Sequence, residues 1–143
     1  MVLNEKGILR RFSLVIYPVD FVVAIGEVEE EVNKHFLPND ERANWIDKPE
    51  NGVSGRTYEV HGKEDNQLCS LVWIRNLEEC RGSVFAHECV HAAMDIFNCI
   101  GAAVDLENQE PFAYLLGNLF RLLNGAFCEL RDFKPKKKSK KKS

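Results

Sequence analysis

Two neighbouring segments near the start of the chain have different patterns of apolar residues. Residues 12–25 are rich in valine, isoleucine and phenylalanine, which predicts a buried strand, broken at residues 18–20 by proline and aspartate. Gly26 ends this segment. Residues 27–36 then place apolar side chains at helical spacing between acidic ones, which predicts a short amphipathic helix on a sheet. The apolar positions are Val28, Val32 and Phe36.

The next part of the chain reads as a loop followed by a hairpin. Residues 37–55 are rich in proline, asparagine, aspartate and glycine and predict a long surface connection, which we expect Trp45 to pin down. Residues 56–60 and 68–75 predict two strands joined by a polar turn around residues 62–66. Within the second strand, residues 71–75 are our candidate for the sheet edge that borders a substrate cleft.

Two helices are predicted in the second half. Residues 81–100 form the first, opened by Ser83 as a cap and closed by Gly101, with an apolar stripe for the core. The second is predicted from about residue 108 or 110 to about Gly125, because Pro111 then falls in its first turn. Strands followed by helices indicate an α+β fold with a small twisted sheet.

Charge divides the chain into a body and a tail. At 143 residues, 45% of them hydrophobic, one domain over residues 1–133 can bury a core. Residues 134–143 carry seven of the nineteen basic residues, between Lys134 and Lys142, and no acid, so the body has a net charge near −10. We expect this lysine-rich segment to be a disordered tail, which could contact nucleic acid, although a merely solubilising role is favoured.

The five cysteines show no Cys-x-x-Cys spacing and are odd in number. Free, mostly buried thiols in a reducing compartment fit this pattern, so the cytoplasm is the expected location. The apolar run after Arg11 is interrupted at Pro18 and Asp20, and we therefore expect neither a signal peptide nor a membrane span.

The segment His87-Glu88-Cys89-Val90-His91 carries the candidate chemistry. Residues four apart lie one helical turn apart, so the two imidazoles can point at one zinc ion. Glu88 is displaced around the helix, where it can take a proton from water instead of binding the metal. The spacing therefore predicts His87 and His91 as zinc ligands and Glu88 as catalytic base.

A third ligand would leave one zinc position open for water. The candidates are Asp95, Asp105, Glu107 and Glu110. Asp95 reads as a surface group, and we favour Glu110 because it shares a stripe with Ala113 and Gly117, whose small size would let the helices approach closely.

The motif also has a structural interpretation, because HExxH occurs by chance and paired histidines can be ordinary core residues. His35 and His61 are interpreted as structural, and Cys89 as a buried thiol whose helical direction differs from that of the histidines. Tyr114 is either a core aromatic or an accessory donor to an oxyanion.

The run AHECVHAAMDIFNCIG followed by ENQEPFAYLLGNLFR resembles small zincin-like proteins of phages and prophages. In that group a Glu-x-x-Ala-Tyr helix follows the HExxH helix, and Glu110, Ala113 and Tyr114 match it. The resemblance covers about a quarter of the chain strongly. It implies a zincin-like fold, zinc held by His87, His91 and Glu110, and a host cytoplasmic location, but supplies no substrate.

Together these features predict a zinc-dependent peptidase that acts on a protein or peptide. The alternative is a catalytically silent zincin-fold module that captures a host protein or nucleic acid. Glu88 separates the two, because only the peptidase needs it as a base.

Overall fold

Six strands form one mixed sheet within residues 1–135, the part of the chain that the computed structural model describes. The strands are β1 (Val2–Asn4), β2 (Gly7–Phe12), β3 (Asp20–Gly26), β4 (Phe36–Pro38), β5 (Gly55–Gly62) and β6 (Leu68–Ile74). The helices are α1 (Glu29–His35), α2 (Gly82–Cys99) and α3 (Glu110–Asp132), with a 3-10 turn at Leu77–Glu79. The α+β prediction is confirmed at this level. Apart from its first two residues, the predicted lysine-rich tail lies outside the described residues.

The sheet order is β1-β2-β3-β6-β5-β4. β3 and β6 run parallel, and the other neighbours are antiparallel. β6 lies between β3 and β5, so the prediction that residues 71–75 form a sheet edge is wrong. Strands buried on both faces have nearly continuous apolar sequences, and both β3 and β6 have that character.

Two cores lie on opposite faces of this sheet. On one face, α2 and α3 cover side chains that include Phe21, Val23 and Val72. On the other face, α1 and the loop after β4 cover side chains that include Val22, Leu71 and Trp73. The Trp73 indole N–H donates to the Gly26 carbonyl at 3.0 Å, so this buried ring has no unpaired polar atom.

Most predicted elements are confirmed, with shifted ends. The break at residues 18–20 separates β3 from the preceding segment, and the predicted hairpin is β5 and β6. The sequence pattern did not predict β1, β4 or most of β2. Ser83 does not cap α2, which begins at Gly82 without a side-chain cap bond. Gly101 does end it, with a φ of +71° that suits glycine.

α3 continues seven residues beyond the predicted end at Gly125, because its apolar stripe also continues. It packs antiparallel to α2 through aromatic side chains. Phe85 contacts Phe120 and Phe127, with ring centroids 5.9 and 5.8 Å apart, and Phe97 contacts Phe112 at 5.4 Å. Edge-to-face pairs of this kind contribute about 0.5–1.5 kcal/mol each beyond buried area. They fix which flank of α2 meets α3.

No helix within residues 1–135 has both the length and the apolar character required to cross a bilayer.

Candidate functional site

His87 and His91 form a pair on the solvent-facing side of α2. Their Nε2 atoms lie 3.2 Å apart, and their rings are 4.8 Å apart at an interplanar angle of 72°. Two imidazole nitrogens bound to one tetrahedral zinc at 2.0–2.1 Å would be about 3.3–3.4 Å apart. The pair therefore has the nitrogen spacing of two ligands to a single ion.

The helix sequence explains why these histidines are exposed. Phe85, Cys89, Ala92 and Ile96 form the buried stripe of α2, and His87 and His91 lie outside it. The same arrangement keeps the histidine side chains clear of the α2–α3 contact.

Glu88 has a different environment from its two neighbours. Its side chain is buried, at 6% exposure, against β5. The Thr57 hydroxyl donates to Glu88 Oε2 at 2.6 Å, and the Glu88 backbone carbonyl lies 3.2 Å from the same hydroxyl. A hydroxyl has one proton, and the short distance assigns it to the carboxylate. Thr57 therefore holds one carboxylate oxygen and leaves the other free.

Two cavities meet at His87 and Glu88. One of about 300 Å³ is lined by Ser54, Gly55, Ser83 and Val84 as well as these two residues. The other, of about 390 Å³, is also lined by Thr57, His91 and Asp95. The pair of cavities makes a groove between α2 and β5 that continues on both sides of the histidines.

Gly55 keeps this groove narrow. A Cβ atom at this position would lie 3.2 Å from Glu88 Cγ and 3.0 Å from Ile74 Cδ1. The absent side chain lets β5 approach Glu88 closely.

Asp95 has a greater part in the site than its sequence position indicated. The side chain is half-buried and lines the cavity that contains His91, one helical turn away. Burial and the nearby Glu59 carboxylate raise the pKa of Asp95, and His91 partly offsets this rise. Asp95 is therefore a partly exposed member of the groove wall.

The structure does not bring Glu110 to the two histidines. Among residues 1–135, no group of three or more His, Cys, Asp or Glu side chains is arranged to hold a metal ion. Glu110 is exposed, and so is Tyr114, at 76%. Asp105 and Glu107 are also exposed, in the loop between α2 and α3.

The reason is the flank of α2 on which α3 packs. Phe97 faces α3, and six residues at 3.6 per turn put it about 120° around the helix from His91. α3 also buries the stripe of Leu115 and Leu119, while Ala113 and Gly117 are exposed. The predicted close approach through those two small residues is therefore wrong.

Comparison of the chain with family models, with curated proteins and with solved structures finds no match. The resemblance to phage zincin-like proteins therefore stays a prediction.

Cys89 lies in the core, and the two histidines outside the HExxH motif each have a nearby side-chain partner. Cys89 is fully buried, which confirms the predicted core thiol, and this burial raises the pKa of the thiol to about 12. His61 Nδ1 lies 2.8 Å from Asn39 Oδ1, at the junction of β4 with the following loop. His35 is 3.6 Å from Glu31 on α1.

Thr57 is the site residue that the sequence analysis missed. The sequence indicates only that residues 55, 57 and 59 share one face of β5, because side chains alternate along a strand. That this face packs against α2 follows from the sheet order, which the sequence pattern does not give. We expect Thr57→Val to lower the free energy of unfolding by about 1–3 kcal/mol, because a buried carboxylate loses its hydrogen-bond donor. Thr57→Ser keeps the hydroxyl and should restore most of that loss.

Urea denaturation of the metal-free protein at neutral pH measures both variants. Equal stability of Thr57→Val and the parent chain would contradict the proposed bond, as would equal losses in the valine and serine variants.

Proposed function

We propose that the chain is a zinc-dependent peptidase with a zincin-like fold, in which His87 and His91 hold the metal and Glu88 is the catalytic base. The observation that carries the proposal is the 3.2 Å spacing of the two Nε2 atoms beside a carboxylate fixed by Thr57. Zinc supplies Lewis acidity, which makes water a stronger acid and an amide carbon more electrophilic.

Glu88 performs the proton transfers in this proposal. Its free carboxylate oxygen accepts a proton from the attacking water, whose oxygen forms a bond to the amide carbon. The C–N bond then breaks, and Glu88 returns the proton to the leaving nitrogen. The carboxylate ends as it began, so one water is consumed for each amide bond cleaved.

β5 orients the substrate. In its pairing with β4, the Asn39 N–H donates to the Glu59 carbonyl at 3.1 Å, so odd-numbered residues of β5 turn their backbone polar groups away from β6. β4 pairs only with Val60 to Gly62. Within residues 1–135, no strand pairs with the remaining edge, and the backbone groups of Gly55 and Thr57 face it.

An extended peptide can therefore add to β5 as a further strand beside Glu88. The groove continues on both sides of His87, which suits an internal stretch of polypeptide better than a chain end. β5 thus takes the substrate-aligning role that the sequence analysis assigned to residues 71–75.

A third protein ligand would complete the zinc site and leave one position for water. Glu110 stays our choice on the resemblance, and it could bind the ion only if the first turns of α3 moved toward the histidine flank of α2. The two histidines and Glu88 need no such movement.

The silent binding module stays the second candidate, because the open β5 edge can capture a peptide without cleaving it. The nucleic-acid alternative depends on the lysine-rich segment, which lies almost wholly outside the described residues.

The proposal predicts zinc-dependent cleavage of an unfolded protein. The purified chain, incubated with denatured casein and zinc, should produce fragments, and 1,10-phenanthroline should stop their formation until excess zinc is added. Cleavage that continues in the chelator would exclude zinc from the reaction, and complete absence of cleavage with zinc would favour the silent module.

A further inference from the structure

A cavity of about 700 Å³ lies at the open edge of β5, on the side of the sheet that carries α1. Residues 56–60 of β5 form one wall, and residues of the loop after β4, including Trp45 and Asp47, form the other. The proposed peptidase reaction does not use this cavity, because the histidine pair lies on the α2 side of β5.

The loop wall is fastened to the body of the protein. Asn33 of α1, only 4% exposed, donates from Nδ2 to the Ile46 carbonyl at 2.8 Å and accepts from the Ile46 N–H at 2.7 Å. The Tyr58 hydroxyl donates to the Asp47 carbonyl at 2.6 Å. These bonds hold the wall in place, so the cavity is preformed.

Trp45 is free to contact a ligand. We expected Trp45 to pin the loop, but its exposure is 47% and the neighbouring Ile46, at 2%, is the buried anchor. An exposed indole at the rim of a preformed cavity offers a flat face to an incoming side chain.

The charge of the lining favours a cation. Four carboxylates and two cationic side chains line the cavity. Both cations are already paired, Arg56 with Glu50 at 2.6 Å and Lys48 with Glu27 at 2.7 Å. Asp47 makes no ion pair with any residue in the range 1–135. An indole face beside an unpaired carboxylate suits an ammonium or guanidinium group.

We propose that this cavity binds the lysine or arginine side chain of an extended peptide that pairs with the edge of β5. Successive side chains of a strand point to opposite faces. A peptide on this edge therefore directs one set of side chains toward the α2 groove and the alternate set into the cavity. The site selects substrates for the proposed peptidase, yet it needs neither zinc nor Glu88.

Fluorescence anisotropy with labelled hexapeptides tests this assignment. The first probe is (Thr-Lys)₃, which presents lysines on one face of a strand, and the second is (Thr-Glu)₃. The full-length protein is kept in EDTA, so binding is measured apart from zinc and cleavage. We expect the lysine peptide to bind at least tenfold more tightly than the glutamate peptide.

Two cavity variants and one matched control separate this site from general attraction to an acidic body. Trp45→Ala and Asp47→Asn should each weaken binding of the lysine peptide about fivefold, and both residues are exposed, so folding should be unaffected. Glu5→Gln removes an equal charge in the β1–β2 turn, far along the sheet from β5, and should change the affinity less than twofold. Two further lysine peptides carry N-methyl groups on the backbone amides, one at the threonines and the other at the lysines. Only one of these two sets of amides faces β5 in a paired strand, so methylation should abolish binding of one of the two peptides.

Equal weakening by Asp47→Asn and Glu5→Gln would overturn the proposal in favour of nonspecific charge attraction. Unchanged binding of both methylated peptides would overturn strand pairing. Because EDTA is present throughout, a negative result here leaves the zinc site standing, and a failed zinc site leaves this result unaffected.

Discussion

Glu88→Gln should reduce zinc-dependent cleavage of denatured casein by about 10²–10⁴-fold, the usual contribution of a positioned general base. Glutamine keeps the volume of glutamate and can still accept the Thr57 hydrogen bond, but it cannot take up a proton from water. Zinc affinity should be nearly unchanged, because Glu88 is held against β5 and is not a proposed ligand. Initial cleavage rates and zinc titrations of the two proteins provide the comparison.

Asp95→Asn is the matched control for this variant. It also removes one carboxylate charge from the groove, but Asp95 has no part in the proposed proton transfer. Its effect on the rate should be much smaller than that of Glu88→Gln. If the glutamine variant cleaved casein as fast as the parent chain, the base would be another group. If neither the parent chain nor the glutamine variant cleaved casein, the silent module would be the better account.

His87→Ala and His91→Ala should each weaken zinc binding strongly, because each removes one of two proposed ligands whose nitrogen atoms already have the spacing of a shared ion. The loss should exceed the roughly 10–100-fold that follows removal of a residue that only hydrogen-bonds to a metal ligand. Both side chains are exposed, so the metal-free stability should change by no more than about 0.5 kcal/mol. Competition with a chelating dye measures the affinity, and denaturation of the metal-free proteins measures the stability.

His61→Ala and His35→Ala are controls for nonspecific histidine binding, since His61 pairs with Asn39 and His35 lies on α1 beside Glu31. They should leave zinc affinity unchanged. A similar loss in all four variants would show that zinc binds without a defined site.

The local part of the site could be predicted from sequence. Helical spacing alone put His87 and His91 on one flank and Glu88 beside them, and the hairpin before α2 followed from alternation and turn residues. Such features depend on residues a few positions apart, where backbone geometry is fixed.

The long-range part could not be predicted. Thr57 reaches Glu88 only because β5 lies under α2, and the sheet order that places it there joins strands far apart in sequence. The position of Glu110 depends on which flank of α2 meets α3. The contact of Phe97 with Phe112 determines that flank, and the stripe of Ala113 and Gly117 did not predict it.

Polar residues with buried roles were also missed. Asn33 sits among the charged residues of α1 and resembles a solvated position, yet both its amide groups bond to Ile46. The exposed Trp45 shows the converse, because an aromatic residue in a loop is usually taken as its anchor.

X-ray absorption at the zinc edge of the loaded protein tests the central claim most directly, because it identifies the atoms around the ion. The account predicts two histidine nitrogens at about 2.0–2.1 Å and no sulfur at about 2.3 Å, with the histidine signal reduced in His87→Ala and His91→Ala. A spectrum that is unchanged in the double histidine variant, or one dominated by sulfur, would contradict it.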